Sequence, residues 1–118
     1  LGTSSTVNKD GKNYIMMLFS SVDGVSKVGS YTGTGSSHTI TTGFQPRFII
    51  VKRADDAESW KVFDSLRTTS SPFSKQLYIN IDDAQDNVSF LSVSSTGFTL
   101  SDTNNNGNNE KYIYYAHA

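Results

Sequence analysis

The sequence predicts an all-β, jelly-roll-like sandwich of eight to nine mainly antiparallel strands with no substantial helix. Three observations carry that expectation. Apolar residues recur mostly with period two, or in short runs bounded by turn residues. Turn punctuation from Gly24, Gly33, Gly35, Gly43, Pro46, Pro72, Gly97 and Gly107 returns about every ten residues. No window of ten or more residues combines helical spacing with caps. The 118 residues (12.9 kDa) allow one domain.

In chain order, strands are expected at about 13–20, 27–32, 37–43, 47–53, 59–65, 75–81, 87–94, 97–101 and 111–118. The first is the longest apolar run, Tyr14-Ile15-Met16-Met17-Leu18-Phe19. Gly33-Thr34-Gly35-Ser36 resembles a phosphate loop only superficially, since no helix or Lys follows; it reads as a hairpin turn. Phe48-Ile49-Ile50-Val51 is apolar on both faces, the pattern of a central strand. Ser65-Leu66-Arg67 allows one helical or 3₁₀ turn. Leu77, Ile79 and Ile81 share one strand face. Ser95-Thr96-Gly97 reads as a tight hairpin. In the last strand Tyr112 and Tyr114 share one face, and Ile113 and Tyr115 the other.

Composition narrows the function classes. Ser, Thr and Asn make up about a third of the residues, while the apolar fraction is 36% and the charged fraction 18%. This is the balance of a β-rich extracellular or virion-type protein. A net charge of −1 offers no basic field for nucleic acid. Without Cys there is no disulfide scaffold, thiol nucleophile or Cys-held zinc. The longest apolar run is too short to span a bilayer, and no signal peptide is visible. The chain also lacks an initiator Met and is expected to be a fragment or a processed product.

One internal echo bears on domain limits. Asn8-Lys9-Asp10-Gly11 precedes Tyr14-Ile15, and Asn104-Asn105-Asn106-Gly107 precedes Tyr112-Ile113. Residues 1–23 are therefore read as a strand or linker that completes a preceding repeat or a neighbouring subunit. Residues 24–118 are read as the sandwich proper.

Three stretches carry a resemblance. The first is Val28-Gly29-Ser30-Tyr31-Thr32-Gly33-Thr34-Gly35-Ser36, continuing through Thr39-Ile40 to Gly43-Phe44-Gln45-Pro46. The second is Val51-Lys52-Arg53 followed by Trp60-Lys61-Val62-Phe63-Asp64-Ser65-Leu66-Arg67. The third is Ser95-Thr96-Gly97-Phe98-Thr99-Leu100 and then Tyr112-Ile113-Tyr114-Tyr115-Ala116. In this order they resemble a β-rich domain of unknown function found, often as tandem repeats, in tail-fibre and other virion proteins of tailed, often marine, bacteriophages. The resemblance covers about 90 of the 118 residues. It implies a virion-exterior protein in receptor binding or fibre building, working as a homo-oligomer, a trimer by family expectation. It supplies no catalytic residues. In that family Gly often follows the arginine equivalent to Arg67, where this chain has Thr68.

Catalytic patterns are weak. There is no Gly-x-Ser-x-Gly elbow, and the two histidines, His38 and His117, lie on a polar strand and at the C-terminus. The domain is expected to be non-enzymatic, without cofactor. If successive strands run antiparallel, their connections alternate between two ends. One end then collects eight of the eleven acids: Asp55, Asp56, Glu58, Asp82, Asp83, Asp86, Asp102 and Glu110. The other collects Asp23, Lys27, Arg47, Arg67 and Lys75. The acids and Asn residues read first as turn formers. A Ca²⁺ held by Asp82, Asp83 and Asp86 is the alternative, although their spacing matches no EF-hand or RTX loop. For a host-surface glycan or protein, the candidate binding residues are Asp55, Asp56, Glu58, Trp60, Asn104, Asn105, Asn106 and Asn108, an aromatic face beside planar polar groups. Asp64 and Arg67 are spaced to form a structural ion pair fixing the loop at 68–74. The competing reading is a purely structural fibre or capsid-decoration repeat assembling by strand pairing.

Overall fold

A computed structural model describes residues 4–67 and 73–118. Nine strands form two antiparallel sheets, with no helix among the described residues. They are β1 (Ser26–Thr32), β2 (His38–Thr41), β3 (Phe48–Arg53), β4 (Lys61–Asp64), β5 (Lys75–Tyr78), β6 (Asp86–Asn87), β7 (Leu91–Ser94), β8 (Gly97–Leu100) and β9 (Lys111–His117). One sheet has the order β1-β9-β3-β4-β5-β6, the other β2-β8-β7. The fold is the expected all-β sandwich, divided six strands to three.

Alternation builds the core between the sheets. Tyr112, Tyr114 and Ala116 of β9, Ile49 and Val51 of β3, and Phe63 of β4 point inward. They meet Ile40 of β2, Leu91 of β7, and Phe98 and Leu100 of β8. Aromatic edges fix the fit: Phe98 meets Tyr114 at a 5.5 Å centroid distance, and Phe63 meets Phe90 at 5.8 Å, both edge-to-face. β9 is an interior strand, second from the β1 edge, paired to β1 on one side and β3 on the other.

Several expectations are corrected. Residues 13–20 are not a strand: they run extended and join no ladder, because no neighbouring backbone lies alongside them. Residues 87–94 are two strands, since the chain leaves β5 after Asn87 and crosses to the other sheet before Leu91. β5 ends at Tyr78, and Ile79 and Ile81 are exposed. The 33–37 segment is a crossing between sheets and not a hairpin, because β1 and β2 belong to different sheets. Ser65-Leu66-Arg67 is a turn and not a helix. Ser95-Thr96 is the two-residue hairpin expected, with Ser94 paired to Gly97. Pro72 and most of the 68–74 loop lie outside the described residues.

Strand directions place the connections as the alternation argument requires. Loops 33–37, 54–60, 79–85 and 101–110 gather at one end of the six-stranded sheet. Backbone bonds lock the first to the last: Gly33 N–H donates to Glu110 O (2.8 Å), Asn109 N–H to Gly33 O (2.9 Å) and Gly35 N–H to Asn106 O (2.8 Å). Only a glycine fits at position 33, since a Cβ there would lie 2.1 Å from Gly107 O.

Candidate functional site

The loop end divides into a braced region and an open cleft. In the braced region Arg53 is the hub. Its Nε donates to Asp55 Oδ1 (2.8 Å), and its Nη1 lies 3.1 Å from Glu110 Oε1 and 3.5 Å from Asp56 Oδ2. That guanidinium, followed by the Lys111 N–H donated to Asp55 Oδ2 (3.0 Å), holds the Asp55 carboxyl below its ordinary range. The acidic end is thus partly neutralised from within. Tyr112 donates to Glu110 Oε2 (2.6 Å) and accepts from Gly107 N–H (3.0 Å). Burial first, and the bond to Glu110 second, push its phenol up to about 12. Tyr31 stacks on Tyr112 at 4.9 Å and donates to Asn105 O (2.5 Å). Burial, then Tyr112 and Asp102, raises its pKa well above the usual tyrosine value.

Asn106 ties the 33–37 crossing to this region and is fully buried. Its Oδ1 accepts from Thr34 N–H (2.9 Å), and its Nδ2 donates to Thr34 Oγ1 (3.2 Å) and Ser36 O. The same Oδ1 lies 3.3 Å from His38 Nδ1; an amide oxygen only accepts, so Nδ1 carries the proton.

The cleft arises from the unequal sheets. Three strands cannot cover the inner face of six, and among the described residues no apolar core side chain comes from β5 or β6. The uncovered inner face is polar. A cleft of about 460 Å³ is lined there by Glu58, Ser59, Lys61, Gln76, Tyr78, Ile81, Asp83, Asp86 and Asn87. Val88, Phe90, Asn104 and Asn105 complete it. Lys61, Gln76 and Asn105 are buried polar side chains at its floor. Gln76 Nε2 donates to Tyr78 Oη (2.7 Å), which donates to Asp86 Oδ2 (2.6 Å). The Asp86 bond, then burial, raises the Tyr78 pKa. Lys61 Nζ lies 3.7 Å from Glu58 Oε2 and 3.4 Å from Asn104 O.

The candidate binding residues therefore separate. Glu58, Asn104 and Asn105 line the cleft. Asp55 and Asp56 brace Arg53, Asn106 is internal, and Asn108 is exposed away from the cleft lining. Trp60 packs elsewhere, on the outer face of the six-stranded sheet with Met17, Phe19, Ile50, Ile113 and Tyr115. Asp82, Asp83 and Asp86 do not converge on a metal position, because Asp86 sits in β6 and its carboxylate accepts from Tyr78. Among the described residues no group of three His, Asp or Glu side chains could hold a metal ion. Arg67 Nε lies 2.5 Å from Asp64 Oδ2, and Asp64 Oδ1 accepts from the N–H groups of Leu66 and Arg67 (both 3.0 Å), so this pair closes the turn after β4.

Sequence reasoning missed Lys61, Gln76 and Asn87. The signal available was Gln76 and Tyr78 alternating with Leu77: two polar-capable residues on one strand face.

A family model described as "Domain of unknown function (DUF7483)" matches residues 1–118. The chain belongs to that family. No curated protein and no solved structure matches this DUF7483 chain. No helix among its described residues is long and apolar enough to cross a membrane.

Proposed function

We propose that this domain is a non-enzymatic recognition module of a phage virion surface protein, of the tail-fibre or receptor-binding kind, and that its cleft takes a host-surface saccharide. One observation carries the reading: three buried polar side chains, Lys61, Gln76 and Asn105, line one concave space. Buried polar groups are costly unless bonded, so a cleft floored by them suits a ligand rich in hydroxyls. Glu58, Asp83 and Asp86 add acceptors, and Phe90, Ile81 and Val88 offer apolar wall for sugar C–H faces. The volume falls in the range of small-ligand sites. The virion setting rests on the sequence resemblance, and repetition of the domain in an oligomer would turn weak single contacts into avidity.

The test is a glycan array carrying bacterial surface polysaccharides, probed with the labelled chain and with the double variant Tyr78→Phe/Asp83→Asn. Both positions lie on the cleft wall and outside the apolar core. Selective retention of one saccharide class, weakened at least about tenfold in the variant, is expected, since ~1.4 kcal/mol is tenfold. Folded wild type that retains none, or a variant that binds equally well, overturns the cleft assignment. Release of reducing sugar from a retained polysaccharide overturns the non-enzymatic part.

The structural-repeat reading draws on a different observation: the apolar segment at residues 14–19 and the sheet face beneath it.

A further inference from the structure

The exposed residues of the amino-terminal arm are apolar to an unusual degree. Tyr14, Ile15, Met16, Met17, Leu18 and Phe19 are exposed by 46%, 97%, 61%, 76%, 82% and 51%. A fully exposed side chain of this size presents on the order of 200 Å², so the six together offer roughly 800 Å². The largest apolar patch on an ordinary monomer is about 300–600 Å². A stable interface buries about 800 Å² per partner. The arm alone reaches that size.

Its pattern is that of a buried strand. Met17 and Phe19 turn toward the molecule, where they line a groove on the outer face of the six-stranded sheet with Val28, Ile50, Trp60 and Ile113. Phe19 meets Tyr115 at 4.6 Å. Ile15, Met16 and Leu18 lie outside the groove lining, and Ile15 and Leu18 are the most exposed of the six. An extended segment apolar on both faces belongs between two layers, and here only one layer is present. The backbone tells the same story. Residues 13–19 join no ladder, whereas the similar sequence of β9, Tyr112-Ile113-Tyr114-Tyr115, pairs on both edges. The sheet face under the arm is itself half-open at Val28, Trp60 and Ile113. One surface thus carries both an apolar projection and an apolar receiving face. No charged side chain stands among the groove residues or at positions 14–19, so a charged partner has nothing there to match.

We propose that this surface binds a second copy of the same chain, the two arms lying together between the two outer sheet faces. An interface of this kind is isologous, the same patch serving both sides. The proposal deepens the oligomer element of the reading above and is independent of the cleft.

The test is the mass of the 118-residue chain by light scattering on a sizing column across a range of concentrations. A discrete dimer is expected, and a trimer or other odd-numbered assembly overturns the isologous pairing. Ile15→Asp/Leu18→Asp should yield monomer with an unchanged far-ultraviolet spectrum, while Tyr78→Phe/Asp83→Asn should keep the wild-type mass. The chain contains no Cys, so Met16→Cys can form a disulfide only between copies. Mild oxidation should give a covalent dimer quickly, and Asn108→Cys, in an exposed loop, should not. Wild type that stays monomeric at about 100 µM overturns the proposal and assigns the arm to another segment or partner. So do polydisperse aggregates, an arm variant that still associates, or equal crosslinking from both cysteines. Loss of saccharide binding with the assembly intact would strike the cleft reading alone.

Discussion

Replacing Asn106 with Ala separates a ligand-contacting amide from an architectural one. The substitution removes four hydrogen-bond partners: Thr34 N–H, Thr34 Oγ1, Ser36 O and His38 Nδ1. At ~1 kcal/mol net for each, the ceiling is about 4 kcal/mol. Thr34 and Ser36 are exposed, so water replaces part of what the amide supplied. The expected loss is therefore about 2–3 kcal/mol. For a domain of this size it lowers the melting temperature by roughly 8–12 °C. Asn108→Ala, two positions along and exposed, should stay within about 0.5 kcal/mol of wild type. Urea unfolding followed by tyrosine and tryptophan fluorescence measures both. If the two variants are equally stable, the 33–37 crossing is not held by Asn106, and the division of this loop into structure and surface is wrong.

Two further outcomes follow from packing and charge. Gly97→Ala places a Cβ 2.1 Å from Ile40 O in the β2–β8 ladder, so backbone must shift; a loss of about 1–3 kcal/mol in urea unfolding is expected. The Tyr112 phenol, raised to about 12, keeps its proton in the folded state where the unfolded chain has lost it. Its contribution is whole below the unfolded value of about 10 and is lost as pH rises from there toward 12. Unfolding free energy should fall across that window, and Tyr112→Phe should flatten the fall, as measured by urea midpoints in steps of half a pH unit.

Local pattern revealed much of the sandwich, and its limits are physical. Phe48-Ile49-Ile50-Val51 declared a two-sided strand: Ile49 and Val51 meet the core, and Phe48 and Ile50 are half-buried on the outer face. Residues 14–19 carry the same declaration, but strand formation needs a partner, and no partner is encoded nearby. The polarised ends followed from alternation alone, a rule of topology that needs no tertiary detail. The cleft was harder. Periodicity put Leu77, Ile79 and Ile81 on one face without saying which face meets the core. Leu77 lies on the outer face, opposite to buried Gln76, and Ile79 and Ile81 follow the strand's end and are exposed. That inversion depends on the unequal widths of the two sheets, which no single strand records. Asn106 looked like a loop-tip ligand because Asn favours turns. Burial, with Gly33 and Gly107 approaching backbone to backbone, made it internal.

The position of β9 also has a consequence for synthesis. β9, an interior strand of the larger sheet, follows all of the other strands of that sheet in the sequence, and Ser26 waits for His117. Until then β1 and β3 each present a long open edge, and Tyr31 and Val51 lack Tyr112 and Tyr114 beside them. Pairing over such separations is slow, and open edges invite association between nascent chains. A chain interrupted before Lys111 leaves an adhesive intermediate, so the synthesis of β9 is the step that commits the larger sheet to its fold.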